Sequence, residues 1–179
     1  YDDGALKSVG HFEEGEPAGL WIQLHENGVP ASLTPWLDGS KHGEERVLSP
    51  RGSPIRTTIW QHGRSIEVRE WHPSGAVART RSPSGAEEIF SSSGEQLKSC
   101  VPEDGTLVCV EWFEDAGKRF QYQLIDSRKQ GPYRAWHQSG QLAAEGQYQR
   151  GRRHGVWRFL TEDGSIDAER SGTYVNGAL

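Results

Sequence analysis

Apolar and polar positions alternate along this chain in short runs, and glycine interrupts the runs at a near-constant interval. Gly4, Gly28, Gly52, Gly75, Gly94, Gly117, Gly140 and Gly164 are separated by 24, 24, 23, 19, 23, 23 and 24 residues. Several follow a turn-forming partner, as in Asp3-Gly4, Asn27-Gly28, Ser139-Gly140 and Asp163-Gly164. A second series runs out of phase through Gly15, Gly39, Gly63, Gly85, Gly105, Gly151 and Gly177, and Ser127 alone breaks it. Asn-Gly and Asp-Gly mark two-residue hairpins, because a type I′ turn needs positive φ at both central residues. Two turns in ~23 residues leave strands of ~8–10 residues, an ordinary strand length. The prediction is an all-β chain: an elongated, twisted antiparallel meander of ~23-residue β-hairpin repeats, with about 14–16 short strands. Residues 1–179 form one array, regular over 4–77 and 118–179 and degenerate over 78–117.

Register follows by arithmetic. With Asn27-Gly28 as a two-residue turn, Trp21 faces Thr34 and Gln23 faces Ser32; with Asp38-Gly39, Trp36 faces Lys41 and Thr34 faces Gly43. Alternation then gathers Trp21, Thr34, Trp36, Glu45 and Val47 on one face. The same rule gathers Tyr148, Trp157, Phe159, Ile166, Ala168 and Tyr174 in the last full repeat. Phe12, Trp36, Trp60, Leu124, Tyr148 and Tyr174 recur three residues before the second-series turns. This face is the candidate core. Gly10, Gly19, Gly43, Gly131, Gly146, Gly155 and Gly172 stand opposite its rings, where an aromatic can lie over bare backbone.

The other face carries a narrower column. Leu24, Leu48, Trp71, Phe90, Phe113, Trp136 and Leu160 each precede a first-series glycine by four residues. Two residues further back stand mostly charges: Ile22, Arg46, Arg69, Glu88, Glu111, Arg134 and Arg158. Such a stripe is either a thin packing layer on a solvated sheet or a partner-binding strip of aromatics and arginine, residue types enriched in binding hot spots. The candidate partner-binding set is Trp71, Phe90, Phe113, Trp136, Arg69, Arg134 and Arg158.

The repeat weakens most over 78–109, where Ser82 and Pro102 replace core aromatics and the spacing shrinks to 19. The two cysteines lie here. With Asp104-Gly105 as the turn, opposed residues sum to 209, as Cys100 and Cys109 do. An antiparallel pair brings Cα atoms to ~4.5–5.5 Å, within disulfide range. The two are either a cross-strand disulfide, which favours an oxidising compartment, or a pair of small reduced thiols.

The run Gly146-Gln147-Tyr148-Gln149-Arg150-Gly151-Arg152-Arg153-His154-Gly155-Val156-Trp157-Arg158-Phe159 … Asp163-Gly164, echoed in Gly19-Leu20-Trp21 … Asn27-Gly28, resembles the MORN-repeat variant found in bacterial YwqK-type antitoxin proteins. The resemblance extends over essentially the whole chain, clearest at 10–63 and 120–177. It implies a non-catalytic hairpin array that binds another protein, in some members a toxin or effector that it neutralises. Departures at 82, 102 and 127 place the middle of the array outside the regular pattern.

Composition adds constraints. Only 34% of the 179 residues are hydrophobic and mean hydropathy is −0.75, yet seven Trp, five Tyr and five Phe argue against disorder. Net charge −5 offers no global attraction to nucleic acid, and no apolar run approaches the ~20 residues that a membrane-spanning helix needs. Methionine is absent even at position 1, so an upstream signal or lipid-anchored segment is an expectation, and with it an exported, periplasmic or cell-envelope location against a cytoplasmic alternative. His25, His72 and His137 share a column but stand whole repeats apart, ~20 Å or more at ~4.8 Å per strand, so no metal site is expected. No nucleophile elbow or phosphate loop occurs, and no enzyme activity or cofactor is expected. Arg150, Arg152, Arg153 and Arg158 read as a solvated hairpin tip. The open first and last strands make a homodimer through edge strands a second partner expectation, and a structural or adaptor role in the cell envelope is the alternative function.

Overall fold

The computed structural model describes residues 4–179; the Asp3 half of the first predicted turn lies outside them. The described residues form sixteen antiparallel strands and no helix. The chain divides into two compact units, Tyr1–Pro83 with Ser92–Gly94, and Ser84–Ser91 with Glu95–Leu179. The first holds β1 (Ser8–Glu13), β2 (Glu16–Leu24), β3 (Pro30–Leu37), the two-residue β4 (Ser40–Lys41), β5 (Gly43–Leu48), β6 (Pro54–Gln61), β7 (Arg64–Trp71) and β8 (Val77–Arg81). The second holds β9 (Glu87–Phe90), β10 (Gln96–Glu103), β11 (Thr106–Trp112), β12 (Lys118–Ile125), β13 (Arg128–Trp136), β14 (Leu142–Gln149), β15 (Arg152–Phe159) and β16 (Gly172–Tyr174). Within each unit strand order follows chain order, with β3 pairing both β4 and β5. This is the all-β hairpin meander that the glycine beat requires.

The two glycine series make different turns. The second-series turns at Gly15, Gly39, Gly63, Gly105, Gly151 and Gly177 are two-residue hairpins with positive φ at both centres, as in Asp38-Gly39 (48° and 69°) and Asp104-Gly105 (45° and 77°); Asp126-Ser127 adopts the same geometry without glycine, whereas at Gly85 the preceding Ser84 does not. First-series loops hold three residues. The His25 amide donates to the Val29 carbonyl and the Gly28 amide to the His25 carbonyl, so Asn27 is not left-handed and Gly28 alone is. This is a type I turn followed by a left-handed glycine, which corrects the two-residue reading. The predicted pairs Trp21↔Thr34 and Gln23↔Ser32 still form, because a bulge just beyond Leu24↔Pro30 restores the register. The same one-residue bulge follows at Leu48, Trp71, Phe90, Trp112 and Trp136.

A second kind of bulge holds the large side chains. Gly19, Gly43 and Gly155 have φ between +64° and +98°. At each, three residues stand against one on the partner strand: Gly19–Trp21 against Gly10, Gly43–Glu45 against Thr34, and Gly155–Trp157 against Gly146. Trp36↔Lys41 forms as predicted, but the slip at Gly43 moves Thr34 from Gly43 to Glu45, whose carboxylate it contacts. The Trp21 ring lies over Gly10 and the Trp157 ring over Gly146, where a Cβ would sit 2.2 Å and 2.3 Å from ring carbons. Only these two of the seven small residues carry a ring so closely; Gly131 meets Gln123, Gly19 meets His11 and Gly172 meets Leu179.

Burial differs between the units. In the second, Ala135, Ala144, Trp157, Phe159 and Tyr174 form one buried cluster, and Cys100, Cys109 and Tyr122 another; Trp157 is 1% exposed. Tyr148 and Leu124 pack at the margins. In the first, the buried residues are Ala18, Thr34, Glu45, Thr57 and Thr58, with Trp21, Trp36 and Trp60 half-buried around them. Phe12, expected in the core, is 60% exposed on β1, the outermost strand of its unit among the described residues. Ile166 and Ala168 are exposed as well. The Asp167 carboxylate accepts the amides of Glu169 and Arg170, and its carbonyl accepts that of Ser171. That turn interrupts the strand expected there after a single bridge between Leu160 and Ile166, and pairing with β15 resumes at Gly172–Tyr174.

Candidate functional site

Residues Cys100 and Cys109 are directly opposed and disulfide-bonded, with Cα atoms 4.1 Å apart. The β10–β11 ladder runs from Lys98↔Glu111 to Glu103↔Thr106 without a bulge. Because strand neighbours alternate faces, Cys109 shares its face with Tyr122, its partner on β12, and with Glu111, to which the Tyr122 hydroxyl donates at 2.6 Å. Trp112 therefore points to the opposite face. Phe113 does not occupy the strand column assigned to it. Its amide donates to Gly117 and its carbonyl accepts from Ala116, which takes the left-handed position (φ 65°) one residue before the glycine. Trp112 fills the column, paired with Lys118. The spacing of Gly117 hid this shift, whereas alternation outward from Cys109 would have found it.

The result is an open groove of about 510 Å³ in the second unit, lined by Ile89, Leu97, Lys98, Glu111, Trp112, Phe113, Glu114, Arg119 and Gln138. Arg119 lies over Phe113 at 5.5 Å and Phe120 at 5.0 Å, and Lys118 over Trp136 at 5.9 Å. Gln138 donates to Asp115 across the neighbouring loops at 3.2 Å. Lys98 pairs with Glu87 at 2.8 Å on its margin. Half-buried aromatic surface, exposed cations and carboxylates thus alternate within one concavity.

The other candidate residues fall elsewhere. Arg134 and Arg158 flank Glu145 and ion-pair with it, so these two arginines belong to a salt-bridged row. Arg69 pairs with Glu67, and the Trp71 indole donates to the Thr57 hydroxyl at 3.3 Å, both within the first unit. Phe90 is half-buried on β9 opposite Gln96.

Two further groups of side chains bear on chemistry. His25 and His137 donate from Nε2 to the carbonyls of Leu48 (3.0 Å) and Leu160 (2.9 Å), one repeat on, so these histidines tie successive turns together. Cations two residues beyond second-series turns cover the aromatic face. Lys129 lies over Tyr122, Tyr133 and Tyr148 at 4.8–5.3 Å, and Arg153 over Trp157, Phe159 and Tyr174 at 4.9–5.3 Å. Arg153 is thereby withdrawn from the hairpin tip where Arg150 and Arg152 remain exposed. Burial lowers the Lys129 ammonium from its ordinary range and pushes the Tyr133 phenol up to about 12. In the first unit, burial raises the Glu45 carboxyl, but hydrogen bonds from Lys41 and Trp60, the Lys41 charge and the Thr34 hydroxyl outweigh it and hold the group below its usual value. Among the described residues, no group of three or more His, Cys, Asp or Glu side chains is arranged to hold a metal ion.

Comparison with known proteins gives a family match over part of the second unit. The model described as MORN repeat variant matches residues 129–150, β13 to the tip after β14, and supports a MORN-repeat protein. No curated protein matches the chain. A solved structure of an alternansucrase in complex with isomaltononaose is similar at 12% identity over 89% of this chain and 16% of its own, with a TM-score of 0.18, which is too low to show a shared fold.

Proposed function

We propose that this MORN-repeat chain is a non-catalytic scaffold of the immunity or antitoxin type, neutralising a partner protein by docking it in the groove between Trp112, Phe113 and Arg119. The observation that carries the reading is the concentration of the half-buried Trp112 and Phe113 rings with exposed Arg119 in one concavity, with Lys118 over Trp136 beside it. Aromatics and arginine are the residue types on which binding energy concentrates, and partly desolvated pockets are where they are most effective. Trp136, through Lys118, extends the contact beyond the groove. The ion-paired Arg134 and Arg158 set its polar border rather than its centre.

The test is capture of a partner by tagged chain from its native source, followed by reconstitution with the purified partner. A stoichiometric complex that blocks the partner's activity, weakened at least tenfold by Trp112→Ala with Arg119→Ala, supports the reading. Binding unchanged in that variant overturns it. The disulfide favours an oxidising, exported compartment, so an envelope-located adaptor is the second reading. Partner binding without inhibition, in an exported fraction, would select it.

A further inference from the structure

The turns of the second glycine series stack tip against tip. In the second unit the Gly151 amide donates to the Lys129 carbonyl and the Gly177 amide to the Arg153 carbonyl, both at 2.9 Å, and the Arg150 amide donates to the Gln130 side chain at 2.8 Å. A Cβ on Gly151 would stand 3.8 Å from that of Arg128, and one on Gly177 3.8 Å from that of Arg152. The residue just after each turn therefore lies against the glycine of the next. Between these tips is a concavity of about 480 Å³, lined by Arg128, Gln149, Arg150, Arg152 and Asn176. Three arginines and two carboxamide residues line it and no carboxylate does, in a chain whose net charge is −5. Asp126, on the adjoining turn, is not part of the lining.

The fold does not require this charge. The first unit has a concavity at the same place with the opposite sign: Glu13, Glu14 and Glu16 stand around Gly15 where Gln149, Arg150 and Arg152 stand around Gly151, and Asp38 stands on the next turn where Asn176 does. The backbone is the same in both, with φ of 49° at Glu14 and 50° at Arg150, and 48° at Asp38 and 53° at Asn176. Nor are the three arginines engaged elsewhere. Every other arginine of the second unit has a ring or a carboxylate: Arg119 and Arg153 lie over rings, Arg134 and Arg158 pair with Glu145, and Arg170 pairs with Asp167. The side chains of Arg128, Arg150 and Arg152 are exposed and have no such partner among the described residues. Like charges gathered in one concavity repel one another, and an anion seated between them relieves that repulsion.

We propose that the concavity between Arg128, Arg150 and Arg152 is an oxyanion site that takes a compact, multiply charged phosphate of the pyrophosphate class from solution. A guanidinium presents a planar fork of N–H donors that matches phosphate oxygens two at a time. Three such forks suit an anion of charge two or more rather than a single carboxylate. Their placement around one concavity, on successive turns, suits a compact anion rather than an extended charged surface. The tips are already tied to one another by backbone hydrogen bonds, so binding orders little beyond the arginine side chains. Lys129 and Arg153, next along the chain from Arg128 and Arg152, add positive potential from the ring-covered face. The site shares no residue with the groove assigned to partner binding.

Calorimetric titration with inorganic pyrophosphate, in metal-free and phosphate-free buffer at ~0.05 M salt, should give saturable one-to-one binding in the micromolar range that weakens as salt is raised. Arg150→Glu with Arg152→Glu should abolish detectable binding while leaving the melting temperature near wild type, because the first unit folds with Glu14 and Glu16 at those positions. Arg128→Gln should weaken binding at least threefold. Arg51→Glu with Arg64→Glu makes the same change in net charge at exposed positions of the first unit and should alter the affinity less than twofold. Sedimentation with vesicles of phosphatidylcholine and phosphatidylserine separates a soluble phosphate from a lipid headgroup: pyrophosphate binding without vesicle binding supports the proposal. Absence of saturable pyrophosphate binding, an equal loss in the Arg51 and Arg64 variant, or binding to the anionic vesicles alone would overturn it.

Discussion

The two units use the same turns and the same glycine bulge; the first, which lays Trp21 over Gly10 as the second lays Trp157 over Gly146, also fills the bulge at Gly43 with a carboxylate. In the second, Gly155 swings Trp157 over the bare backbone of Gly146, and the ring becomes the centre of an aromatic cluster with Tyr133, Tyr148, Phe159 and Tyr174. In the first, Gly43 swings Glu45 into the same kind of place, 7% exposed, where it accepts from Thr34 (3.2 Å), Lys41 (2.6 Å) and the Trp60 indole (2.8 Å). The backbone device is set by a left-handed glycine and a neighbouring hairpin, and it is indifferent to whether an indole or a carboxylate occupies it. A ring asks the facing residue to be glycine, for room; a carboxylate asks it to be threonine, for a donor. Sparse hydrophobic composition is compatible with this fold because one unit builds its interior from satisfied polar groups.

The largest effect is expected from removing the ring. Trp157→Ala should cost about 3–5 kcal/mol and abolish the near-UV circular dichroism of the aromatic cluster, as read by urea unfolding. A loss below 1 kcal/mol would mean that Trp157 is not the centre of that unit. Next comes the disulfide, whose removal should cost about 2–3 kcal/mol for so short a loop. Reductant should lower the melting temperature of wild type and leave a Cys100→Ser, Cys109→Ser variant unmoved; equal melting curves with two titratable thiols would contradict the bond.

The smallest effect distinguishes the polar interior by its pH dependence. The folded Glu45 carboxyl titrates below its unfolded value of about 4.5. Its stabilisation is therefore complete above that value and is lost as pH falls through the lower, folded one. Glu45→Gln should cost about 1–2 kcal/mol at neutral pH, with the gap from wild type closing toward pH 3. Trp157→Ala should show no such closure. A pH-independent penalty for Glu45→Gln would remove the ionised carboxylate from the account.

The sequence made the beat of the hairpins legible because glycine at positive φ has few substitutes, and where Asp126-Ser127 substitutes for it the neighbouring turns still carry the pattern. The Trp21↔Thr34 and Cys100↔Cys109 pairings followed from turn position alone. The first was correct through two compensating features, a loop one residue longer than expected and a bulge that takes the extra residue back. Where no such compensation occurs, as at Gly43, the arithmetic slips by two and Thr34 meets Glu45. The groove was only partly legible: its lining residue Phe113 was named by column, while Trp112, Arg119 and Gln138 were not, because the turn at Phe113–Gly117 places Ala116 where glycine was expected. The cations over the rings were invisible to a hydrophobic count, since Lys129 and Arg153 contribute charge to composition while their positions place them against aromatic faces. Phe12 was read as core because its position in the repeat is a core position; among the described residues its strand pairs on one side only.

The claim on which the rest stands is that the hairpin beat lays an indole over glycine backbone inside the sheet, and proton chemical shifts read it directly. The Hα resonances of Gly10 and Gly146 should lie far upfield of those of the open turn glycines Gly28 and Gly140, shifted by the ring currents of Trp21 and Trp157, and Trp157→Ala should return the Gly146 signal alone to the ordinary glycine range. Ordinary shifts for both glycines in the folded wild-type protein would contradict it.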